Sequence, residues 1–412
     1  MSSEPNRNVT IVGAGQAGIQ VAQALRKRSY AGGITLLGDE GYAPYQRPPL
    51  SKAFLKGQME EPRLAFRPEA FFADQRIDHQ FSNAVVSIDT ARRQLDCIDG
   101  ATIDYDRLVI ATGATPIELP VMGATLRGVF TLRGLDDSKA IRESLGDASR
   151  LIVIGGGYIG LEVASAARQL GLEVTVVERL PRLLSRVTSP PVSDFFLDLH
   201  REHGVDVRLD ESVVEIEGDN SVTGVRLASG PSIPADVVLV GVGVRPNEQL
   251  AKAAGIDCDD GILVNDDCQT SAEFVYAAGD CVRSVLRDES TQRLESVHNA
   301  LDQGDRIAAH IVGDERPPFD PPWFWSDQYD VKLQTVGLFN GYDDVVIRGD
   351  TDAHKFAVLY FRDNALLAID AINDPISFMS GKRVFKLGLE LDRNDVSDPG
   401  ITLKDVVTAK TM

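Results

Sequence analysis

The sequence predicts an α/β protein with three parts, one of which is interrupted by another. Three observations support this fold class. A short apolar strand that runs into a glycine-rich turn occurs twice, at Gly13–Gly18 and at Gly155–Gly160. Further apolar strands lie on both sides of the second copy, and the chain after Pro322 changes to alternating apolar and polar residues. Strands that alternate with helices build parallel sheets, whereas the final pattern is typical of antiparallel strands.

The first glycine-rich turn belongs to a βαβ unit. The β-branched run Val9–Val12 leads into Gly13–Gly18, and a helical stretch and a second strand, Ile34–Leu37, follow. In this pattern the first glycine permits a tight turn, the second lets the backbone approach a pyrophosphate, and the third allows close helix packing. Asp39 or Glu40 then stands where a carboxylate accepts from ribose hydroxyls. The segment therefore predicts a dinucleotide site at a helix start, where free N–H groups attract anions.

The second βαβ unit repeats this order. Leu151–Ile154 opens into Gly155–Gly160, a helical stretch follows, and the strand Val174–Val177 ends at Glu178. A carboxylate at Glu178 can accept from a ribose 2′-hydroxyl and would repel a 2′-phosphate. The adjacent Arg179 could receive such a phosphate, so the sequence alone leaves the choice of nucleotide open. Two copies with full context make a second dinucleotide site the preferred interpretation.

The strands around the second unit predict how the domains are connected. Leu108–Gly113 and Val275–Asp280 run into small, flexible turns, and Val237–Val244 is a further apolar run between them. We therefore expect the chain to leave one Rossmann-like domain near Gly113 and to return near Gly243. This predicts a discontinuous domain of residues 1–113 and 244–320, with a second Rossmann-like domain of residues 114–243 inserted into it.

The last part predicts a separate α+β domain of residues 321–412. The proline-rich stretch Pro317–Pro322 marks its boundary. Antiparallel strands are expected in the alternating runs, with turns at 340–341 and 363–364; the runs are Leu333–Leu338, Asp344–Arg348, Phe356–Phe361 and Ala365–Ile369.

Charge and cysteine content exclude several function classes. Lys and Arg number 42 against 61 Asp and Glu, a net charge of −19, which argues against nucleic acid or an anionic membrane as the main partner. The four cysteines lie far apart, which suggests neither a disulfide framework nor a metal site. His200 and His203 could share a helix face but have no evident third ligand, and His298 is expected to pack. With no leader pattern and no long apolar run, we expect a cytoplasmic protein.

Several further motifs carry a family resemblance. They are Arg47–Lys52, Ala111–Gly113, Gly155–Glu162, Gly279-Asp280, Glu295–Val297 and Trp323–Tyr329. With these, the chain resembles the FAD-dependent, NADH-oxidising ferredoxin reductases of bacterial monooxygenase systems, whose fold is that of pyridine nucleotide-disulfide oxidoreductase-like flavoproteins. Dioxygenase ferredoxin reductases and rubredoxin reductases are wider relatives.

The resemblance implies that FAD binds at the first glycine motif and NADH at the second. The residues that it implies at the first site are Gly13, Gly15, Ala17, Gly18, Asp39 or Glu40, Arg47, Lys52, Val85, Ala111, Thr112, Gly113, Arg133, Gly279, Asp280 and Val297. Further cofactor contacts are expected from Gly155, Gly157, Tyr158, Ile159, Gly160, Glu178, Gly243 and Trp325. Trp323 and Trp325 mark one edge of the third domain, and Trp325 lines the approach of NADH or ferredoxin or else packs in the core.

Three of these residues are expected at the flavin itself. The resemblance places Lys52 near flavin N5, where a cation stabilises arriving electron density, and Glu162 beside it, where it orients the ammonium. Tyr158 resembles an aromatic residue that covers the flavin until nicotinamide displaces it. The alternatives are a solvated lysine after a proline turn, an exposed acid at a helix start, and plain packing of the tyrosine.

The position of the cysteines separates two kinds of flavoprotein. Disulfide reductases of this fold carry a redox-active cysteine pair soon after the first βαβ unit, but Gly41–Leu55 contains no cysteine. The resemblance therefore implies hydride transfer from NADH to FAD and single-electron transfer to a two-iron (2Fe-2S) ferredoxin that supplies a haem-thiolate monooxygenase.

The acceptor is the least defined part of this prediction. Alternative acceptors are rubredoxin or a dioxygenase ferredoxin, and a non-catalytic redox-sensing FAD/NAD protein is a further alternative. We expect a monomer or weak dimer. An acidic ferredoxin would need a local basic patch, for which the candidates are Arg63, Arg67, Arg306, Lys332, Lys382 and Arg383.

Overall fold

The computed structural model of the chain describes residues 7–285, 291–398 and 400–411. In chain order its strands are β1 Val9–Val12, β2 Ile34–Leu37, β3 Asp78–Gln80, β4 Val85–Asp89, β5 Gln94–Cys97, β6 Thr102–Asp104, β7 Arg107–Ile110, β8 Ala114–Pro116, β9 Val129–Phe130, β10 Arg150–Ile154, β11 Glu173–Val177, β12 Asp206–Arg208, β13 Val213–Glu217, β14 Gly224–Leu227, β15 Ser232–Pro234, β16 Val237–Val240, β17 Val244–Pro246, β18 Ile262–Val264, β19 Val275–Ala277, β20 Val282–Val285, β21 Thr291–Gln292, β22 Trp323–Gln328, β23 Val331–Gly337, β24 Asp344–Asp350, β25 Lys355–Arg362 and β26 Ala365–Ile372.

The α-helices are α1 Gln16–Lys27, α2 Ala70–Asp74, α3 Leu135–Gly146, α4 Tyr158–Gln169, α5 Pro190–Glu202, α6 Gln249–Ala253, α7 Val297–Val312, α8 Pro375–Leu387, α9 Arg393–Ser397 and α10 Leu403–Thr411. Short 3-10 helices span Pro48–Ser51 and Glu61–Arg63.

The described residues group into two compact units. The first takes them from Met1–Gln46, Glu61–Thr115 and Val244–Pro318, and the second from Arg47–Glu60, Pro116–Gly243 and Phe319–Met412. The three-domain division expected from the sequence stays a prediction beside this grouping.

The first unit is built on a parallel sheet with the order β19-β7-β1-β2-β3. Val12, the last residue of β1, pairs with Leu37 of β2 and with Ile110 of β7, so these strands end at the same edge of the sheet. Their side chains are almost entirely apolar and buried, as expected when helices cover both faces of a parallel sheet. The antiparallel sheet β4-β5-β6 and the mixed sheet β18-β20-β21 also belong to this unit, in which α1 packs against α7.

The second unit contains a parallel and an antiparallel sheet. The parallel sheet has the order β12-β11-β10-β16-β9, and its central strand ends at Ile154, which pairs with Val177 and Val240. The antiparallel sheet has the order β22-β23-β26-β25-β24, with α8 packed on β23 and β26. Buried side chains of both sheets, such as Val153 and Val358, belong to one apolar cluster. A further small sheet is β13-β14-β15.

The predicted fold class is confirmed, with one correction to the predicted strands. Both βαβ units are present, and the last part is an antiparallel sheet with helices. The predicted strand Val237–Val244 is wrong as a single element, because β16 ends at Val240 and β17 begins at Val244. Gly243 has φ +120°, a left-handed conformation that a regular strand cannot contain. Within the described ranges no helix is long and apolar enough to cross a membrane.

Candidate functional site

The turn between β1 and α1 forms an open cradle. Gly13 has φ +114°, and a Cβ atom on it would lie 2.1 Å from the carbonyl oxygen of Ala111. A Cβ on Gly18 would lie 1.9 Å from the carbonyl oxygen of Gly13, so helix and strand approach closely here. A Cβ on Gly15 would meet no described atom within 4 Å. The turn is thus tight at its ends and open in the middle, which is the room that a pyrophosphate needs at a helix start.

Two side chains that the sequence did not single out fix the neighbouring turns. Asn247 donates its side-chain amide to the carbonyl oxygen of Thr112 at 2.8 Å, and its backbone oxygen accepts from the Thr112 hydroxyl at 2.7 Å. The buried Gln303 accepts from the backbone N–H of Gly279 at 2.7 Å. Neither residue belongs to a recognisable motif. Asn247 follows β17 and Gln303 lies in α7, so each reaches its turn only after the chain has folded.

The other expected residues of the first unit are placed as follows. Asp39 and Glu40 come directly after β2, where Asp39 is exposed and Glu40 accepts a hydrogen bond from the Tyr45 hydroxyl. Val85 packs in the apolar cluster of this unit, and Val297 begins α7. Asp280 directly follows the Gly279 turn, and a Cβ on Gly279 would lie 3.1 Å from the Cβ of Ala17.

The turn between β10 and α4 repeats the open cradle in the second unit. Gly155 has φ +108°, and its Cβ would lie 2.4 Å from the carbonyl oxygen of Gly241. A Cβ on Gly160 would lie 2.2 Å from the carbonyl oxygen of Gly155, whereas one on Gly157 would meet no described atom within 4 Å. Ile159 is 45% exposed at the start of the helix. The two turns therefore share one geometry, and each has the room that the phosphates of a dinucleotide need.

Glu178 follows β11 and holds the second cradle in place. Its carboxylate accepts from the backbone N–H of Gly156 at 2.6 Å and from that of Leu180 at 2.8 Å. The carboxylate therefore lies against the glycine turn, at the position where a ribose would be bound. Arg179, beside it, is exposed.

Lys52 and Glu162 form a buried ion pair in the second unit. Lys52 Nζ lies 2.5 Å from Glu162 Oε2, and the two side chains are 18% and 2% exposed. Ser51 donates to the same oxygen at 2.6 Å, and Ser326 donates to Oε1 at 2.7 Å. Glu162 is thus neither in the first turn of α4 nor exposed, and Lys52 is not a freely solvated lysine. The two serines were not predicted, because hydroxyls that serve a carboxylate have no pattern of their own.

The hydrogen bonds of Ser326 continue into the core of the second unit. Gln328 donates to Ser326 at 3.2 Å, and its oxygen lies 2.8 Å from His200 Nε2. His200 is fully buried, and burial lowers its pKa to about 4. His203 stacks on Tyr329 with ring centroids 3.6 Å apart. His200 is therefore a core residue and His203 an exposed one, and no group of metal-binding side chains occurs among the described residues.

Tyr158 is the first residue of α4 and packs, partly buried, against the apolar cluster of the second unit. Its ring contacts Phe324, with centroids 4.5 Å apart. Burial raises the pKa of Tyr158 well above its usual value, and the charges of Asp370 and Glu162 raise it further. The hydroxyl therefore keeps its proton at neutral pH and is able to donate it in a hydrogen bond.

The remaining expected residues also belong to the second unit. Arg47 donates to the carbonyl oxygen of Arg133 at 2.9 Å, so these two residues lie together. Gly243 ends the stretch between β16 and β17 and accepts from the Ile117 N–H. Trp325 is half-buried in β22, with its ring 5.6 Å from that of Trp323.

The candidate basic residues differ in what they contact. Arg306, Lys332 and Lys382 lie 2.7, 3.6 and 3.4 Å from a carboxylate oxygen. Arg67 donates to Gln23, Arg63 is exposed, and Arg383 donates to Thr411 from the exposed side of α8. Lys382, Arg383 and Lys386 share α8, a helix without an acidic residue.

Comparison with protein families gives two matches. Residues 7–304 match the family described as pyridine nucleotide-disulphide oxidoreductase, and residues 323–407 match the reductase C-terminal family.

Individual relatives are similar over almost the whole chain. Putidaredoxin reductase from Pseudomonas putida is 42% identical, with 98% of this chain and 97% of the relative covered. Rubredoxin-NAD(+) reductase from Pseudomonas putida is 38% identical over 89% of this chain and 96% of its own. Among solved structures, the ferredoxin reductase for the CYP199A2 system from Rhodopseudomonas palustris superposes with a TM-score of 0.95 at 43% identity, covering 98% of this chain and all 100% of that one.

Proposed function

Because the chain belongs to the pyridine nucleotide-disulphide oxidoreductase family, as a reductase that passes electrons to a redox protein, we propose that it oxidises NADH and reduces a two-iron ferredoxin. The terminal enzyme in this proposal is a haem-thiolate monooxygenase, as the name of the Rhodopseudomonas palustris relative suggests. FAD and a nicotinamide dinucleotide are the cofactors of this class. The observation that carries the proposal is the pair of glycine cradles, which are open at Gly15 and at Gly157.

The two cradles fit the two cofactors. In each cradle, closely packed glycines flank an open one at a helix start, which suits a pyrophosphate. We assign FAD to the cradle at Gly13–Gly18 and NADH to that at Gly155–Gly160. Bound FAD supplies the ability to accept an electron pair as hydride and to release single electrons. Asp39 or Glu40 would accept from the ribose of FAD, and Glu178 from that of NADH.

The residues of the protein would then act by position and charge. Lys52 presents a cation whose direction is fixed by three acceptors, the Pro48 carbonyl oxygen, the Ser51 hydroxyl and Glu162. Ser51 and Ser326 hold the Glu162 carboxylate in turn. In the proposal this cation stabilises negative charge that arrives on the flavin, without proton transfer by the lysine. Because Gly41–Leu55 has no cysteine, electrons leave for the partner protein without a thiol relay.

Stopped-flow spectroscopy tests the cofactor assignment. The oxidised flavin absorbance of the purified holoprotein should disappear on mixing with NADH, and much more slowly with NADPH. A holoprotein whose flavin stays oxidised in NADH, or that NADPH reduces faster, would contradict the assignment.

The proposed acceptor surface is the exposed face of α8. Within this helix Arg383 and Lys386 are exposed, and beside them Ile376 and Met379 are 55% and 60% exposed. A helix with three cations and no acid in a chain of charge −19 offers a local positive surface for an acidic partner. The exposed apolar side chains add the contact area that a transient complex needs.

Aromatic rings connect this helix with Tyr158. Phe378 of α8 contacts Trp323 with centroids 6.1 Å apart, and Trp323 contacts Trp325 at 5.6 Å. Trp325 lies 6.3 Å from Phe324, which in turn contacts Tyr158 at 4.5 Å. This continuous series supports α8 as the place where the acceptor binds, since its two ends are the proposed acceptor surface and the proposed nicotinamide site.

Charge reversal on α8 tests the acceptor surface. Arg383→Glu should lower kcat/KM for a two-iron ferredoxin by about two- to tenfold, because a charge at the rim of an interface mainly changes the association rate. Reduction of ferricyanide should be unchanged. The matched control is Arg92→Glu, which reverses an arginine that is 77% exposed in the first unit. Equal losses in the two variants would contradict the surface proposed here.

A rubredoxin is the second candidate acceptor, because rubredoxin-NAD(+) reductase is 38% identical to this chain. The same assay with rubredoxin in place of ferredoxin decides between the two. A higher kcat/KM for rubredoxin would make it the preferred acceptor and would leave the flavin chemistry unchanged.

A further inference from the structure

A chain of buried side chains leads from Glu162 into the core of the second unit. Its three inner members, Ser326, Gln328 and His200, are at most 1% exposed. The successive contacts are Ser326 Oγ to Glu162 Oε1 at 2.7 Å, Gln328 Nε2 to Ser326 Oγ at 3.2 Å, and His200 Nε2 to Gln328 Oε1 at 2.8 Å. At the far end His200 Nδ1 lies 3.3 Å from the Tyr329 hydroxyl. Each inner member therefore has a polar contact on both sides.

The charge of Glu162 fixes the direction of every hydrogen bond in this chain. A carboxylate paired with the Lys52 ammonium only accepts hydrogen bonds, so Ser326 gives its single proton to it. The oxygen of Ser326 is then an acceptor, and the amide nitrogen of Gln328 donates to it. The carbonyl oxygen of Gln328 consequently faces His200.

The same reasoning places the hydrogen atom on the His200 ring. Nε2 faces the carbonyl oxygen of Gln328, so Nε2 carries the hydrogen and donates it. Nδ1 is then an acceptor, and the hydroxyl of Tyr329 is the group that donates to it. Burial raises the pKa of Tyr329, so this hydroxyl keeps the proton that the contact needs. The chain therefore selects one of the two neutral tautomers of His200.

The opposite tautomer would remove a hydrogen bond from Glu162. With its hydrogen on Nδ1, His200 would accept from the Gln328 amide, and the Gln328 carbonyl would compete for the proton of Ser326. Glu162 would lose the donor on its Oε1. Hydrogen bonds partly neutralise a carboxylate, so one that loses a donor offsets more of the positive charge of the neighbouring ammonium.

We propose that His200 and Gln328 are positioning residues for the ion pair that faces the flavin. Through Ser326 they keep a proton directed at Glu162, which leaves the positive charge of Lys52 available to the flavin. The inference rests on the proposed function, in which Lys52 lies at the flavin. Reduction adds negative charge beside this cation, so a chain that is interrupted at His200 makes the flavin harder to reduce.

The first test determines the tautomer of His200 by nitrogen NMR of the holoprotein with isotope-labelled histidine. The sequence has six histidines, so the spectrum is simple, and the signal that His200→Gln lacks belongs to His200. Burial lowers the pKa of His200 to about 4, so its ring is neutral at pH 7. We expect the hydrogen on Nε2. A ring with its hydrogen on Nδ1 alone would overturn the proposal, because the chain would then run in the opposite direction.

The second test measures the midpoint potential of the bound flavin by spectroelectrochemical titration. Ser326→Ala removes the donor to Glu162 and should lower the equilibrium constant of two-electron reduction by about two- to twelvefold, the range of one net hydrogen bond. This factor corresponds to a midpoint potential that is lower by about 10–30 mV. His200→Leu removes the donor to Gln328 and should lower the constant by at least about twofold, but by no more than Ser326→Ala does.

Two further variants separate positioning from packing. A glutamine side chain places its amide nitrogen about where histidine has Nε2, so His200→Gln keeps the donor to Gln328 and should keep the wild-type potential. In the Ser326→Ala background His200→Leu should cause no further shift, because the chain has already lost its contact with Glu162. A shift that persists in that background, or that His200→Gln shares, would overturn the proposal.

His203→Leu is the matched control, since His203 stacks on the ring of Tyr329 but is exposed and lies outside the chain. Its equilibrium constant should stay within about twofold of the wild type. Equal shifts in His203→Leu and His200→Leu would contradict the inference. Should His200→Leu fail to give a folded holoprotein, Gln328→Met interrupts the chain one contact nearer to Glu162 and carries the same expectation.

The outcomes distinguish this inference from the proposed function. If NADH reduces the wild-type flavin while His200→Leu has the wild-type potential, the inference fails and the proposed function stands. A wild type that NADH does not reduce would instead contradict the proposed function.

Discussion

Replacing Lys52 by methionine should reduce both stability and the rate of flavin reduction. The substitution keeps the length and apolar stem of the side chain but removes the charge that lies 2.5 Å from Glu162. Glu162, with a side chain 2% exposed, is then a buried carboxylate without a cation. Two serine donors, at 2.6 and 2.7 Å, continue to satisfy its oxygens.

The magnitude follows from these contacts. Removing one partner of a buried ion pair costs about 3–5 kcal/mol, because the remaining charge is left without compensation. The lower end applies here, since Lys52 is 18% exposed and the serines remain. A loss of about 3 kcal/mol corresponds to a fall of about 6–12 °C in the unfolding temperature of a unit of this size. Losing one fixed cation at the flavin should slow its reduction by NADH about 100-fold.

Differential scanning calorimetry and stopped-flow reduction measure the two effects. Lys56→Met is the matched control, because Lys56 is in the same segment and its ammonium donates to the neutral side chain of Gln169 at 2.9 Å. It should change neither quantity. The double variant Lys52→Met with Glu162→Gln should recover most of the lost stability, since no unpaired charge is left. The reasoning would be refuted if Lys52→Met unfolded within about 1 °C of the wild type or if the double variant were less stable still.

Three further outcomes follow from the site. Gly15→Ala should fold but lose bound FAD, because its Cβ enters the open cradle. Gly13→Ala should misfold, because its Cβ would lie 2.1 Å from a carbonyl oxygen. Measurements of flavin content and thermal unfolding distinguish the two variants. Glu178→Ala should lower kcat/KM for NADH by about tenfold or more but not that for NADPH, as measured by steady-state kinetics. Burial lowers the pKa of His200 from 6.5 to about 4. Because the unfolded chain then binds a proton more readily, the free energy of unfolding should fall by about 3 kcal/mol between pH 6.5 and pH 4. His200→Gln should lack this loss in denaturant titrations, and an unchanged pH dependence would contradict the assignment.

The glycine cradles could be predicted from the sequence because their function is local. A Cβ atom on any of four glycines would collide with a backbone oxygen of the same turn or of the adjacent strand end; they are Gly13, Gly18, Gly155 and Gly160. A short motif therefore contains most of the steric reason why only glycine fits. The end of β1 was predicted to the residue for the same reason, since the glycine turn must start where the strand ends.

The supports of the site could not be predicted in this way. Ser51 and Ser326 donate to one carboxylate from positions 275 residues apart (326 − 51), and Gln303 reaches Gly279 from the middle of α7. Serine and glutamine occur on most surfaces, so their types carry little information until the chain has folded. Asp370 is a clearer example, because an aspartate at the end of an alternating strand is predicted to face solvent. It is buried only because the hydroxyls of Thr188 and Tyr360 approach it and donate hydrogen bonds.

The structure shows how the net charge of −19 is distributed around the proposed acceptor surface. At physiological ionic strength dissolved ions screen the interaction between exposed charges that are more than about 8 Å apart, so an acidic partner responds mainly to the surface that it touches. The helix α8 places Arg383 and Lys386 on an exposed face with no acidic residue in the helix, beside the apolar Ile376 and Met379. The negative net charge then repels an acidic partner from other faces of the protein. The cations of α8, which are the candidate basic residues that lie together on one helix, attract it. A strongly negative reductase can in this way orient an acidic acceptor.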